Sequence, residues 1–222
     1  MERRARIFAL CAAVVSIVLA GGCSVGAPAE GPDRMYDSAP LGSAEPIEEP
    51  DPLEEEQMHE SAVQVSGTET AVMQTSKGTI VLAFYPDDAP NTVASFIELA
   101  ESGFYDGVKF HRVIPGFVAQ GGDPLTRDLT PDQMKAGAPG VGTGGPGWNQ
   151  KAEFNSRLHE TGTLAMARSQ HPDSAGSQFY ICLAPQPSLD GQYTVFGRVV
   201  EGMDAVMTIG VGDTIESVTI RR

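Results

Sequence analysis

What most restricts this chain is the texture that begins after Gly67: short β-rich runs cut by glycines and prolines, with only two stretches periodic enough for helices. Ala71-Val-Met-Gln-Thr and Thr79-Ile-Val-Leu-Ala-Phe-Tyr flank Ser76-Lys-Gly, the pattern of two strands joined by a Gly-containing hairpin turn. Alternation then places Ile80, Leu82 and Phe84 on one face. Further strands are predicted over 109–114, 117–120, 162–167, 178–183, 194–199 and 215–221. Pro90 opens a helix in which Val93, Phe96, Ile97 and Ala100 recur at helical spacing, with Gly103 placed to end it. A second helix is predicted over 203–209, where Met203, Val206 and Met207 repeat the pattern. Many short strands, two helices and no strand–helix–strand rhythm predict one antiparallel barrel or sandwich.

The N-terminal third has a different character. Arg3, Arg4 and Arg6 precede an apolar run from Ile7 to Ala20, and Ala20-Gly21-Gly22 lead into Cys23. This is the layout of a secretory signal peptide over residues 1–22. The cysteine after the small residues resembles a bacterial lipobox, in which it becomes the lipidated new N-terminus, although Ala20 stands where Leu is usual. The expectation is an exported lipoprotein of the bacterial cell envelope, membrane-anchored through Cys23. An ordinary soluble signal and an uncleaved anchor are the alternatives, and the apolar run is short for a span of about 20 residues. With Cys11 removed and Cys23 lipidated, Cys182 is the one remaining thiol, so no intramolecular disulfide is expected.

Residues 23–66 carry Pro-rich acidic runs and no sustained apolar period, which predicts a disordered, extended tether. Residues 24–65 hold eleven Asp or Glu against Arg34 alone, a net −10 against −14 for all 222 residues. Most of the acidity thus belongs to the tether, as a solvated spacer or a segment that recruits a basic partner. The balance argues against nucleic acid and anionic lipid surfaces as primary partners, since both demand clustered Lys and Arg. The folded domain is expected over 67–222.

Within it, Phe110-His-Arg-Val-Ile-Pro-Gly-Phe-Val-Ala-Gln-Gly-Gly-Asp places an Arg between a His and an apolar turn. Pro115-Gly116 allows the chain to fold back and bring Arg112 near Phe117, Val118 and Gln120. A guanidinium among apolar neighbours is costly unless it has acceptors; alone, the motif fits a structural ion pair as well as a site. It is followed by Gly142-Thr-Gly-Gly-Pro-Gly, Met166-Ala-Arg-Ser, Ser177-Gln-Phe-Tyr-Ile and Leu189-Asp-Gly-Gln-Tyr-Thr-Val-Phe-Gly-Arg-Val. In this order, along roughly residues 68–222, the motifs resemble the cyclophilins of the bacterial branch, peptidyl-prolyl cis/trans isomerases.

The resemblance implies a closed eight-stranded antiparallel β-barrel capped by two α-helices, acting without metal or cofactor on proline-containing polypeptides. It implies Arg112 as the catalytic Arg, with Gln120 holding the swinging carbonyl or orienting the Arg. Phe117, Val118, Tyr180, Leu189 and Tyr193 match the proline pocket, and His111 a neighbouring wall. Ala167 and Arg168 match the segment that holds the substrate backbone, and Gln178 a polar contact. Val118 replaces a longer Met, Tyr180 adds a hydroxyl where Phe is usual, and Ser188 stands where an aromatic lid is common. A fold of this kind that holds proline-bearing partners without turnover is the rival reading, and a monomer is the default state.

Other signals carry less. The four histidines, His59, His111, His159 and His171, lack metal-ligand spacing. The Gly142–Gly147 run lacks the strand, helix and Lys of a phosphate loop, so a turn is expected. Residues 125–140 form an insertion relative to shorter bacterial cyclophilins, and Thr130-Pro-Asp-Gln has the form of a capping box. That insertion either tunes substrate choice or decorates the surface.

Overall fold

Among residues 58–222, which the computed structural model describes, each predicted strand forms. The signal segment, Cys23 and the tether up to residue 57 lie outside the described residues. The strands are β1 (Thr70–Thr75), β2 (Gly78–Phe84), β3 (Arg112–Val113), β4 (Val118–Gly121), β5 (Thr163–Met166), β6 (Phe179–Cys182), β7 (Val195–Glu201) and β8 (Ile215–Arg221). The helices are α1 (Pro90–Glu101), α2 (Pro131–Lys135) and α3 (Met203–Thr208). The protein is mainly β: a single curled sheet in the order β3-β4-β6-β5-β7-β2-β1-β8, with each neighbouring pair antiparallel.

The expected closed barrel is found as an open half-barrel. β3 and β8 end the sheet and share no ladder, because β3 is two residues long. Their approach is made upstream of β3, through a bridge from Lys109 to Thr214 and backbone bonds between Phe110 and the Gly212–Asp213 turn.

Strand alternation divides the side chains into two sets. Leu164, Met166, Phe179, Ile181, Ala119 and Phe196 enter the main core, together with Ile80, Leu82 and Phe84 from β2. Their neighbours Ala165, Tyr180, Cys182, Val118 and Val195 form a second apolar cluster on the other face. The main core is sealed by α1, whose Val93, Phe96, Ile97 and Ala100 all point inward as their spacing requires. Phe96 lies 5.6 Å from Phe84, 5.0 Å from Tyr105, 5.7 Å from Phe179 and 5.5 Å from Phe196, centroid to centroid.

The ends of α1 are held by different means. Gly103, at φ 72°, follows the last turn, and the amides of Gly103 and Phe104 bond back to the carbonyls of Ala100 and Leu99. The N-terminus lacks a local side-chain cap; instead the Glu153 carboxylate accepts from the amides of Asn91 and Thr92 at 3.0 and 2.8 Å. A negative charge at the positive end of the helix also favours the dipole. In α3, Val206 is buried as expected, whereas Met207 is 56% exposed: six residues present too narrow a face to bury both.

The last part of the expected tether, residues 58–66, lies against the domain. The His59 ring stacks on Trp148 at 3.9 Å, its Nε2 meets Glu98 at 2.9 Å, and its amide donates to the Asn149 carbonyl at 2.7 Å. Asn91 grips the same segment, donating to the His59 carbonyl and accepting from Ser61. The junction with β1 is tied by Glu69, whose buried carboxylate accepts from the amides of Ser66 and Gly67 and from the Ser66 hydroxyl.

Burial alone would raise the Glu69 pKa, but these hydrogen bonds from Ser66 and Gly67 outweigh it and hold the carboxyl at about 2, below its ordinary 4.5. A depressed carboxyl stabilises the fold fully above pH 4.5, and that contribution is lost as pH falls toward 2. Glu69→Gln is therefore expected to lower the urea midpoint at pH 7 and to shrink the drop between pH 5 and pH 3. Equal acid sensitivity in the two proteins would show the carboxylate to be unimportant.

Candidate active site

Register puts the proposed chemistry in one line. Arg112 pairs with Gln120 across β3 and β4, Gln120 with Tyr180 across β4 and β6, Tyr180 with Ala165 across β6 and β5, and Ala165 with Val195 across β5 and β7. Directly paired residues of an antiparallel ladder point to the same face. One cross-strand row therefore runs from a guanidinium through an amide to an apolar floor. The fold-back at Ile114–Phe117 is fixed by Gly116, at φ 72°, and by bonds from the Ile114 amide to the Val118 carbonyl and from the Phe117 amide to the Ile114 carbonyl.

The cup beside Arg112 is the second apolar cluster. Val118, Tyr180 and Val195 are buried, and Phe117, Ala167, Leu189 and Tyr193 are partly buried against them. Leu189 arrives on a single 3₁₀ turn, Pro187–Leu189, and the ring of Tyr193 stands edge-on to Tyr180 at 5.8 Å. Ser188 is exposed on that turn, which leaves the rim open where an aromatic lid is common. Next to the cup, a hollow of about 330 Å³ is bounded by Gln120, Gly142–Pro146, Ala167, Arg168 and Gln178. A larger concavity, about 1410 Å³, lies between residues 58–67 and the start of α1, and contains none of the row. The smaller one touches the row through Gln120 and carries Ala167, Arg168 and Gln178, whereas Arg112 and the cup lie beside it.

Arg112 is exposed, and among the described residues it has no carboxylate within ion-pair distance. Its guanidinium carbon lies 5.4 Å from the Phe117 ring centre, over its face, and Nη1 lies 3.5 Å from Gln120 Oε1. The structural ion pair that the motif alone allowed is thus not made by these residues.

The amides form a directed chain. Gln178 donates both its N–H groups, to the carbonyls of Gly142 at 2.9 Å and Gly144 at 2.8 Å. Its Oε1 must then face Gln120, whose Nε2 donates to it at 3.0 Å, and Gln120 Oε1 is left facing Arg112. Of the two roles open to Gln120, orienting the Arg fits this arrangement, because its donor end is already engaged. Gln178 likewise acts through Gln120; its side chain does not reach into the cup as a free contact.

The Arg168 side chain is turned to its own loop. Its Nε and Nη2 donate to the Gln192 carbonyl at 3.1 and 3.0 Å, and Nη1 donates to the carbonyls of Ser169 and Gln170. Its carbon lies 4.7 Å from the Tyr193 ring centre. The guanidinium braces the loop carrying Tyr193, and its donors are occupied by the chain's own carbonyls. Ala167 keeps its place at the rim, its amide bonded to the Gln178 carbonyl at 2.9 Å.

His111 sits half-buried behind Arg112, with both ring nitrogens buried and unpartnered. Burial pushes its pKa below the ordinary value and the Arg112 charge adds to this, against an opposing effect of Asp123. The ring is accordingly a neutral wall at neutral pH. Cys182, beneath the cup, has its thiol pushed up to about 12 by burial and by Asp190, so it packs as a small apolar group.

The insertion is tied down next to the glycine turn that lines the hollow. Buried Asp123 accepts from the Leu125 amide at 2.9 Å and the Gly142 amide at 2.5 Å, joining its two ends. Its middle forms α2, with the expected capping box between Thr130 and Gln133. The glycine run beyond it is the turn that supplies the carbonyls held by Gln178. Sequence reasoning missed Asp123, since nothing local marks a carboxylate that closes a loop of this length. It also missed His159 and Asp190, which meet each other and Tyr180 beneath the cup. Among the described residues no cluster of His, Cys, Asp and Glu could hold a metal ion.

Residues 70–222 match the model of the cyclophilin-type peptidyl-prolyl cis-trans isomerase family. A peptidyl-prolyl cis-trans isomerase of Synechococcus elongatus is 47% identical over 152 residues, covering 68% of this chain and 94% of that protein. Peptidyl-prolyl cis-trans isomerase B of Bacillus subtilis is 46% identical over 143 residues, covering 64% of this chain and 90% of that protein. Among solved structures, a Cryptosporidium parvum cyclophilin-type isomerase crystallised in the presence of the dipeptide Ala-Pro superposes with a TM-score of 0.58 at 26% identity, covering 69% of this chain and 99% of that one. With the sheet order, the row from Arg112 to the apolar cup and these relatives in agreement, the chain belongs to the cyclophilin-type peptidyl-prolyl cis-trans isomerases.

Proposed function

We propose that Arg112 catalyses rotation about Xaa-Pro bonds of polypeptides whose proline ring lies in the cup of Phe117, Val118, Tyr180, Leu189 and Tyr193. The amide resists rotation because nitrogen lone-pair resonance gives it double-bond character, with a barrier of about 18–20 kcal/mol. In the twisted state the lone pair is localised on a pyramidal nitrogen, so a donor aimed there favours the twist. No bond breaks, and no nucleophile is needed. The observation that carries this reading is the guanidinium over Phe117, without a carboxylate partner among the described residues and facing Gln120 at the lip of the cup.

Bringing tens of seconds to about a millisecond requires a factor of about 10⁴ to 10⁵, or ~5.5–7 kcal/mol. One preorganised donor supplies about 2.7–4 kcal/mol. The remainder falls to the cup, which excludes water and holds the ring while the preceding residue swings. In a protease-coupled isomerisation assay, Ala-Pro is expected to compete with a longer Xaa-Pro substrate and to raise its apparent KM. Turnover indifferent to a saturating excess of the dipeptide would overturn this siting.

We further infer that the enzyme acts on exported proteins from the end of an acidic tether lipidated at Cys23. The supporting features are the basic residues and apolar run before Cys23 and the Pro-rich acidity after it. Radioactive palmitate is expected to label the protein, and Cys23→Ala to abolish the label. Persistent labelling of that variant would refute the anchor.

A further inference from the structure

Beneath the cup lies a polar chain that the catalytic row does not use. His159 is buried, and all four of its polar atoms are engaged. Its Nε2 meets the Tyr180 hydroxyl at 3.0 Å, and its Nδ1 meets Asp190 Oδ1 at 2.9 Å. Its amide donates to the same carboxylate oxygen at 2.8 Å, and its carbonyl accepts from the Gln186 amide at 2.7 Å. Gln186 and Asp190 bracket the turn Pro187–Leu189, so one residue holds both ends of the turn that delivers Leu189. The same ring stands edge-on to Tyr193 at 6.4 Å.

The direction of the chain follows from donor chemistry. Hydrogen bonds from the His159 amide and ring hold the Asp190 carboxyl below its usual range, so it accepts only and Nδ1 must donate. Burial pushes the Tyr180 pKa up and keeps its hydroxyl protonated; in the neutral imidazole that carries its proton on Nδ1, Nε2 is the acceptor and the Tyr180 O–H donates to it. The hydroxyl that departs from the usual Phe is thereby turned toward His159, away from the apolar surface of the cup.

We propose that His159 is the positioning residue of the proline cup, setting Tyr180, Leu189 and Tyr193 at fixed spacing through the chain Tyr180–His159–Asp190. This rests on the reading of the cup as the substrate site. A cup that grips the ring alike in ground and transition state contributes uniform binding, so its loosening registers in affinity more than in kcat. Loss of stability alone lowers the active fraction and leaves KM where it was.

The test uses the full chain with Tyr180→Phe, Asp190→Ala and the double variant. Kd for a Xaa-Pro peptide is measured by NMR titration, and KM and kcat by isomerisation. Each single variant is expected to raise Kd and KM about fivefold to tenfold, with a smaller loss in kcat. The double variant should raise them no further than either single one, since the chain is already broken. Unchanged Kd in the single variants, or multiplied factors in the double one, overturns the proposal. In the wild type at pH 7, imidazole ¹⁵N shifts should show Nδ1 protonated and Nε2 bare; the opposite tautomer overturns the chain. A peptide that binds without perturbing the Phe117 and Tyr180 resonances overturns the siting of the substrate, and the proposal with it. If those resonances move while the variants bind normally, the chain alone is refuted.

Discussion

Arg112→Ala is expected to lower kcat for a Xaa-Pro peptide at least a hundredfold, the scale on which one preorganised donor acts. The side chain is exposed and lacks a carboxylate partner among the described residues, so its removal leaves no buried charge behind. The far-ultraviolet circular dichroism and the thermal midpoint should stay close to those of the wild type. Arg112→Lys should recover little. The compact ammonium loses the planar fork that lies over Phe117 and reaches Gln120. A folded Arg112→Ala protein with wild-type kcat would leave the fold standing and remove the mechanism.

Phe96→Ala should produce the largest loss of stability. Its ring is almost fully buried and touches four other aromatic rings contributed by β2, the turn after α1, β6 and β7. Removing it deletes the anchor between α1 and the sheet and leaves a cavity that rigid neighbouring rings fill poorly. The expected cost is about 3–5 kcal/mol, a large share of a typical total of about 5–15 kcal/mol. For a domain of this size that corresponds to a fall in Tm of roughly 6–20 °C. Calorimetry or a urea titration measures it directly. A shift under about 2 °C would mean that α1 contributes little to holding the sheet.

Much of the fold was legible because its determinants are local. The strand runs carry period-two alternation, and α1 carries helical spacing with Pro90 and Gly103 at its ends. Thr130 and Gln133 announced α2 by the same local chemistry. The site residues Arg112, Gln120, Phe117 and Val118 sit within one hairpin, so their proximity follows from a single fold-back. Ladder closure was not legible, since it depends on how far the sheet curls before β3 meets β8.

Long-range hydrogen bonding was hidden for a related reason. Nothing beside Arg168 along the chain announces its partner at Gln192, whose carbonyl only the fold brings to it. Tyr180 reads as a misplaced hydroxyl until His159, 21 residues away, is seen to receive it. Residues 58–66 have the polar composition of the tether, yet His59 finds Trp148 and Glu98 on the folded surface.

The amino-acid sequence by itself determined which segments extend, which coil, and which faces are apolar, because these depend on neighbours a few residues apart. It also determined that a guanidinium would stand near Phe117, Val118 and Gln120, since one tight hairpin carries all four. Only the tertiary structure decided which donors remain free to act. That outcome depends on where distant carbonyls and carboxylates come to rest, and no spacing along the chain encodes it. Gln120 is turned to Arg112 by Gln178 and the glycine turn, Arg168 is consumed by its own loop, and Tyr180 is drawn down to His159.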